Sequence, residues 1–368
     1  MTVFLIIVVI ALLGITFWQM SKILKLSQSS NTDNSQIAND KDNKTQAYLM
    51  LGFVIFLYVF MFYNFWNYSK FYLPEAASAH GDDYDTLMFI SIGLIMVVQL
   101  ITQFLLYFFA YKYKGEKGKK ALFYADNDKL EFIWTIIPVI VLAGLIIYGL
   151  FTWSDIMNVE EDNDAMVVEI YAYQFGWKVR YSGEDNTLGK ANVRFIEGVN
   201  TLGVDKSDSY AKDDKIASEL HLPVDKQVLF KFRSQDVLHS AYFPFFRAQM
   251  NVVPGMITQF SFTPTITSEE MRNSDYMVEK VQEINEIRKE RSKELVAQGD
   301  LALEPYDFEY YLLCNKICGV SHYNMQMKIV VESEEDFNKW MEEQEAFGTT
   351  MAKQEEKITY NKFKVIYS

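Results

Sequence analysis

Residues Tyr310–Val331 read YYLLCNKICGVSHYNMQMKIVV and contain both cysteines of the 368-residue chain, Cys314 and Cys318. The two ends of this stretch, Tyr310–Leu313 and Met327–Val331, are rich in β-branched, aromatic and other apolar residues and predict strands. The residues between them predict a tight loop. The sequence therefore predicts a β domain with a cysteine-bearing loop between two of its strands.

The loop gathers four side chains of related chemistry, Cys314, Cys318, His322 and Met325. Two thiolates, an imidazole and a thioether are a soft-ligand mix that selects copper. Zinc sites usually draw four Cys or His ligands, so Met325 argues against zinc. Two sulfurs four residues apart also allow a pair of thiolates that bridge two copper ions. The alternative is a small-loop disulfide beside an unrelated histidine and methionine, since the domain is predicted to be exported.

A site of this kind needs a second histidine, and the chain has four histidines in all. His239 follows a predicted strand, Gln227–Phe232, and its combination with the cysteine loop favours it as a ligand. His80 lies in a polar loop and His221 lies beside Pro223, so we predict that both are ordinary surface histidines.

Charge is unevenly distributed along the chain. The formal net charge is −13, while residues 1–150 sum to zero, so the whole excess lies in residues 151–368. Nucleic acid is therefore excluded as a natural partner, and a basic protein is favoured. The acidity alternatively serves only to keep an exported domain soluble.

Four apolar stretches each approach the ~20 residues that a membrane-spanning helix needs. The first could alternatively be a signal peptide, but no Lys or Arg precedes Lys22 and no small-residue cleavage site follows. The stretches are Thr2–Met20, Tyr48–Trp66, Leu87–Tyr111 and Phe132–Trp153.

The loops between these stretches predict their orientation. Six lysines from Lys112 to Lys129 mark a cytoplasmic loop, and the acidic loop Asn67–Thr86 is predicted to be external. The segment after the first stretch is again rich in lysine. Both termini and the acidic domain are therefore predicted to lie outside.

Beyond the last span, short strand-like runs predict a small antiparallel sandwich or barrel. A charged segment without Gly or Pro, Ser268–Leu295, predicts a surface helix with Ser268 as its N-cap. The charged tail from Glu342 onward is predicted to start as a helix. The strand-like runs are Met166–Val179, Gln227–Phe232, Ile257–Phe262, Tyr310–Leu313 and Met327–Val331.

Five motifs in this order resemble subunit II of the haem–copper cytochrome c oxidases. The resemblance runs from about residue 85 to residue 340, and the five motifs together are far more specific than any one of them. They are Leu130-Glu131-Phe-Ile-Trp134-Thr-Ile-Ile-Pro138, Tyr173-Gln174-Phe-Gly-Trp177, Asp236-Val-Leu-His239-Ser240, Pro254-Gly255 and the loop Cys314–Met325.

The resemblance implies a membrane α plus all-β fold, in which transmembrane helices precede an exported cupredoxin-like Greek-key β-barrel with a helical insertion. It divides the chain into two additional N-terminal transmembrane helices within 1–86 and a transmembrane helical hairpin at 87–153. The CuA domain then covers 154–341 with its insertion at 268–298, and 342–368 is a C-terminal extension.

The resemblance also implies the site residues. Electrons are expected to enter near Trp177 or Phe175. Glu131 is either the entrance of a proton pathway or an interfacial carboxylate in water, and the sequence does not choose between these. The ligands of a binuclear copper centre, CuA, are His239, Cys314, Cys318, His322, Met325 and the backbone carbonyl of Lys316.

The function implied is that of an electron relay. Haems and CuB are expected in a partner, subunit I, because only His80 and His221 remain in this chain. The donor is a cytochrome c or a tethered cytochrome c domain of a neighbouring complex, and the complex is expected in a respiratory membrane, the inner membrane of a bacterium. The alternatives are a copper-free structural subunit of a quinol oxidase, whose relatives lose the cysteines, and a CuA domain serving nitrous oxide or nitric oxide reduction.

Three positions depart from the family pattern. Lys316 and Asn251 stand where the family has carboxylates, so the family's interfacial magnesium (Mg) does not carry over to this chain. Phe175 stands where the family has the tryptophan at which electrons enter, which leaves Trp177 as the neighbouring indole.

Overall fold

The structure, a computed structural model, describes residues 2–27, 39–120, 122–157 and 165–354. It consists of two compact units. The first comprises Met1–Ser69 and Ile92–Thr135, and the second comprises Lys70–Ser91 and Ile136–Ser368.

Four helices account for the N-terminal part of the chain: α1 (Thr2–Ser27), α2 (Asp40–Tyr68), α3 (Gly81–Lys112) and α4 (Asp128–Met157). Within the described part of the chain, α2, α3 and α4 are long and apolar enough to cross a membrane. The apolar stretch of α1, counted over Val8–Leu24, is shorter. Four spans therefore stay a prediction, with three supported by helix length and composition.

Helices α2 and α3 pack against each other in antiparallel fashion in the first unit. The ring centroids of Tyr48 and Tyr111 lie 5.3 Å apart, and the Tyr58 hydroxyl donates to the Leu100 carbonyl at 2.5 Å. The two pairs run in opposite order along the two helices, which defines the antiparallel arrangement. A tyrosine hydroxyl that bonds a helix carbonyl also keeps a polar group satisfied inside an apolar layer.

Among the residues that the structure describes, the second unit contains ten strands in two five-stranded sheets, ordered β3-β2-β1-β5-β8 and β4-β10-β9-β6-β7. Buried side chains from both sheets form one hydrophobic core between them. The strands are β1 (Met166–Tyr173), β2 (Gly176–Tyr181), β3 (Lys215–Ala217), β4 (Leu220–Pro223), β5 (Val228–Ser234), β6 (His239–Phe243), β7 (Ala248–Val252), β8 (Thr258–Phe262), β9 (Tyr310–Cys314) and β10 (Gln326–Glu332).

Phenylalanines dominate the centre of this core. The rings of Phe230 and Phe262 stack at 4.8 Å, and Phe243 of the opposite sheet meets both rings at 5.4 Å. All three side chains are buried, and each such burial contributes roughly 1.5–3 kcal/mol. These contacts hold the two sheets in a fixed relation.

Two strand predictions are wrong. The sheets are mixed rather than antiparallel, because β1 pairs with β5 and β4 pairs with β10 in parallel. The run Met166–Val179 is not one strand but a tight hairpin, in which Gln174 and Phe175 turn the chain between β1 and β2. The alternation of apolar residues continues through the turn, so it carried no signal of the break.

The helical insertion also differs in detail from its prediction. It forms two helices, α5 (Ser268–Asn273) and α6 (Asp275–Ala297). Thr267, not Ser268, is the N-cap, and it forms a capping box with Glu270. The tail is helical after the strands, as predicted, over α7 (Glu334–Glu343) and residues 347–354, and its remainder lies outside the described residues.

The segment that follows α6 returns along it. Asn285 bonds the backbone of Tyr306 in both directions, at 3.0 Å and 2.6 Å, and Arg288 donates to the Glu304 carbonyl at 2.9 Å. The insertion is therefore closed on itself, because the non-helical segment after α6 is hydrogen-bonded back along that helix.

A buried network of charges lies on the first sheet. Glu169 bonds both Arg180 at 2.9 Å and Arg233 at 2.8 Å, and Arg180 also donates to Asp214 at 2.9 Å. Burial alone would raise the pKa of Glu169, but the two guanidinium groups more than offset it and lower that pKa. Burial raises the pKa of Asp214 to about 6 in spite of Arg180. Glu169 is therefore the anion on which the network depends.

We expect Glu169→Gln to destabilise the second unit by roughly 3–5 kcal/mol, or about 10 °C, because it removes the counter-charge of the buried Arg233 guanidinium and leaves Arg180 with Asp214 alone. Thermal unfolding of the detergent-solubilised chain, followed by circular dichroism of the β-sheet, measures the change. Glu335→Gln is the control, since Glu335 is exposed and pairs with Lys339 at the surface. Equal melting temperatures for the two variants would contradict the prediction.

Candidate metal centre

The pairing of β6 with β9 brings His239 next to the cysteine loop. Ala241 pairs with Cys314 across these antiparallel strands, and the backbone N–H of Asn315 donates to the Ser240 carbonyl at 2.9 Å. Because the strands are in this register, His239 Nδ1 lies 3.9 Å from Cys314 Sγ. His239, the fifth side-chain donor predicted from the sequence, therefore lies beside the cysteine loop.

The remaining donors extend from the two sulfurs. Cys314 Sγ and Cys318 Sγ lie 3.8 Å apart and are not bonded to each other. Cys318 Sγ lies 3.6 Å from His322 Nδ1 and 3.7 Å from Met325 Sδ, and Cys314 Sγ lies 3.2 Å from the Lys316 carbonyl oxygen. The sulfurs are central, and the two imidazoles lie at opposite ends.

This arrangement offers the donors of a soft-metal site. The ligand atoms of His239, Cys314 and Cys318 lie within 4.8 Å of one another. His322 and Met325 approach Cys318 from the other end of the cluster. Two ions that share the sulfurs would each meet one imidazole, and the thiolate, thioether and imidazole set is the one that copper prefers.

Asp236 orients His239. His239 Nε2 lies 2.9 Å from Asp236 Oδ1, so an N–H there donates to the carboxylate and leaves the Nδ1 lone pair towards Cys314. Burial opposes ionisation of Asp236, but hydrogen bonds from His239 and from the N–H groups of Gln174 and Val237 lower its pKa. The carboxylate is therefore charged and stabilises the required tautomer.

Without a metal, the Cys318 side chain is protonated at neutral pH. Burial, followed by the neighbouring Cys314, raises the pKa of Cys318 to about 11. Metal binding must therefore displace a proton from Cys318.

Both predicted aromatic residues adjoin the ligands, but only one lies near the surface. Trp177 is buried, its Nε1–H donates to the Met325 carbonyl at 3.5 Å, and its ring centroid is 6.1 Å from that of His239. Phe175 is half-buried, and its ring atoms lie 2.7–2.8 Å from where a Cβ on Gly319 would be.

The other predicted or considered residues lie elsewhere. Glu131 is exposed in the first turn of α4, in the first unit, whereas the metal ligands belong to the second unit. The prediction of a surface histidine is wrong for His221, which is buried, stacks on Trp340 at 3.9 Å and bonds Glu332 at 2.7 Å. His80 is half-buried, with Nε2 3.4 Å from the Arg247 carbonyl.

The sequence did not reveal two residues that position the metal donors, Asp236 and Gln174. Both lie inside motifs quoted above, and Asp236 precedes His239 by three residues. A carboxylate this close to a ligand histidine is a usable signal for an orienting partner. The role of Gln174 depends on tertiary contacts and has no such local signal.

Membrane-spanning helices joined to a two-sheet, cupredoxin-like domain with a soft-metal loop define a class of membrane-anchored copper proteins. A family model, cytochrome C oxidase subunit II, transmembrane domain, matches residues 66–151. The alternative cytochrome c oxidase subunit 2 of Bradyrhizobium diazoefficiens is 30% identical over 240 residues, covering 65% of this chain and 72% of that protein. The chain belongs to the cytochrome c oxidase subunit II family, and it is a membrane protein with an external soluble domain.

A second relative and a solved structure are also similar to parts of the chain. Cytochrome c oxidase subunit 2 of Cereibacter sphaeroides is 24% identical over 285 residues, covering 73% of this chain and 77% of that protein. The crystal structure of the periplasmic domain of subunit II of cytochrome oxidase of Bradyrhizobium japonicum shares 19% identity and covers 50% of this chain and 95% of that chain, with a TM-score of 0.29.

Gly319 is the position where the loop is least tolerant of a side chain. Its φ is +144° and an added Cβ would strike the Phe175 ring, whereas Gly255 has φ +82° with open space around it. We expect Gly319→Ala to reduce the copper retained after dialysis several-fold, since the loop must move away from Phe175.

Gly255→Ala is the matched control, because it imposes backbone strain without the steric clash. Copper content per chain, measured by atomic absorption, compares the two variants. A Gly319→Ala protein that retains as much copper as Gly255→Ala would contradict the packing argument.

Proposed function

We propose that this chain is the electron-accepting subunit of a proton-pumping cytochrome c oxidase. It takes electrons from a cytochrome c at a binuclear CuA centre and passes them to the haems of the catalytic subunit I, where oxygen is reduced to water. The convergence of the five side-chain donors and one carbonyl on the Cys314–Cys318 pair is the observation that carries this proposal.

The chain's own residues have distinct roles in this proposal. Cys314 and Cys318 would hold the copper together with the imidazoles of His239 and His322. Met325 and the Lys316 carbonyl supply the weaker donors. When bound, a two-copper centre supplies one-electron exchange with little change of geometry, and the hydrogen bonds of the loop keep those donors fixed.

Oxygen reduction is assigned to the partner because the chain has no further histidines to offer. His221 is engaged by Glu332 and by the face of Trp340, and His80 lies against the Arg247 carbonyl. We therefore place the haems and CuB in subunit I. The copper-free role in a quinol oxidase is disfavoured by the intact donor set, and a nitrous oxide or nitric oxide reductase is disfavoured by the family membership.

The proposed topology places both termini and the metal centre outside. With the β domain external, the end of α4 near Met157 lies at the outer face and its first turn lies at the inner face. Glu131 is in that first turn, which supports a proton-pathway entrance on the cytoplasmic side. Lys316 is exposed and cannot bind a cation, so we propose that side chains of this subunit hold no magnesium.

The ligand assignment has a direct test in the full-length chain. We expect wild-type protein to bind two copper ions with a mixed-valence electron paramagnetic resonance spectrum. Cys314→Ser or Cys318→Ser should abolish that spectrum, because each sulfur is shared between the two ions. Ser207→Ala, at an exposed serine that bonds Asp205, is the control. A cysteine variant that keeps a delocalised two-copper signal would refute the assignment.

The surface around the centre is apolar rather than acidic. The loop Cys314–Met325 has one charged residue, Lys316, besides His322. Asp236 is occupied by His239 and by two backbone N–H groups. Ile317, Val320 and Tyr323 are 86%, 89% and 88% exposed. The loop itself therefore adds no negative charge, and we propose that a cytochrome c docks on these three side chains.

An apolar contact is little affected by screening. We expect the rate of copper reduction by a soluble cytochrome c to change less than about three-fold between low and high salt, unlike the steep fall of electrostatically steered association. Val320→Ser should slow that reduction, whereas Val199→Ser, at an exposed site away from the ligands, should not. A steep salt dependence with no effect of Val320→Ser would restore electrostatic docking.

A further inference from the structure

Gln174 connects the two segments that carry the metal donors. It lies in the turn between β1 and β2 and is itself not a donor. Its backbone N–H donates to Asp236 Oδ2 at 2.7 Å, and its side-chain amide donates to the carbonyl oxygen of Cys318. One residue therefore bonds the His239 segment through its main chain and the cysteine loop through its side chain.

Each of these hydrogen bonds is made to a group that directly neighbours a metal donor. Asp236 is the group that fixes the His239 ring through Nε2. Cys318 carries the sulfur that neighbours Cys314, His322 and Met325. A shift of the Cys318 main chain would therefore change several donor distances at once.

Gln174 is exposed, but its side-chain amide lies close against the loop. Gln174 Nε2 lies 3.0 Å from where a Cβ on Gly319 would be, and the Phe175 ring is closer still. The turn therefore fills the space behind the peptide that follows Cys318. Trp177, three residues after Gln174 and on β2, bonds the Met325 carbonyl at the other end of the loop.

We propose that Gln174 is a positioning residue that holds the Cys318 main chain in register with His239 before any metal binds. The side-chain amide is suited to this role because it is a neutral donor that reaches a carbonyl oxygen without placing a charge beside the thiols. Preorganised donors bind a metal more tightly because less loop ordering remains to occur on binding. The identity of the metal rests on the proposed function, whereas the hydrogen bond belongs to the metal-free chain.

The test uses the full-length, detergent-solubilised chain with Gln174→Met, which keeps the length of the side chain and the backbone N–H but removes the amide donor. Amide hydrogen exchange of the peptide containing Cys318–Met325 is measured without metal, and copper affinity is measured by competition with a chelator. We expect faster exchange in that peptide alone and a loss of affinity of roughly ten-fold or more.

Two further variants make the result specific. Gln174→Asn keeps an amide that is too short to reach Cys318, so it should behave like Gln174→Met. Gln259→Met, an exposed glutamine on β8, should leave both measurements unchanged.

The outcomes separate this proposal from the function. Wild-type exchange and wild-type copper affinity in Gln174→Met would overturn the positioning role while the copper assignment stands. Faster loop exchange in a chain whose wild type binds no copper would uphold the positioning role and overturn the proposed function.

Discussion

The register between β6 and β9 is the constraint on which the metal centre depends. The pairing of Ala241 with Cys314 sets where a histidine near the start of β6 lies relative to the first cysteine. A shift by one residue would turn the His239 side chain to the opposite face of the sheet, because successive side chains alternate. Phenylalanines of both sheets resist such a shift, since Phe243 follows on β6 and packs against Phe230 and Phe262. The register between β6 and β9 therefore determines both the packing of the aromatic core and the positions of the metal donors.

Folding supplies most of the order that the ions would otherwise have to impose. The donors come from two chain segments, and each is hydrogen-bonded at its backbone before it offers a ligand atom. His239 is fully buried and Met325 nearly so, so neither can rotate into water. The entropy lost by fixing these side chains is offset by the burial of the surrounding core. The donors are therefore in position before a metal binds.

Much of the site could be predicted from sequence because its donors have a rare chemistry. Two cysteines in 368 residues, followed at short spacing by His322 and Met325, leave few arrangements to consider. The flanking strands were predictable for the same local reason. The hairpin at Gln174 was not, since its apolar alternation runs on through the turn. Parallel pairing of β1 with β5 and of β4 with β10 is set by tertiary contacts that no local pattern records.

His221 and the charge network show the limit of residue-by-residue reasoning. A lone histidine beside a proline gives no sign that Trp340, far along the chain, will stack on it. Glu169, Arg180 and Arg233 would each be expected on a surface, since charged residues are rarely buried unless they are paired. Alternation along β1 and β2 places Glu169 and Arg180 opposite each other, but only the covering segment that supplies Asp214 makes their position an interior one.

The insertion between β8 and β9 closes on itself, and this affects how easily the strands that carry the metal donors meet during folding. His239 and Cys314 are far apart in the chain, and contacts of large sequence separation slow folding because a long loop must close first. Asn285 and Arg288 bond the returning segment to α6, so that part of the loop can close on itself through local contacts. The entropy that remains to be lost when β9 meets β6 is then that of a shorter chain. An insertion of this length can therefore be accommodated next to β9 at a small kinetic cost.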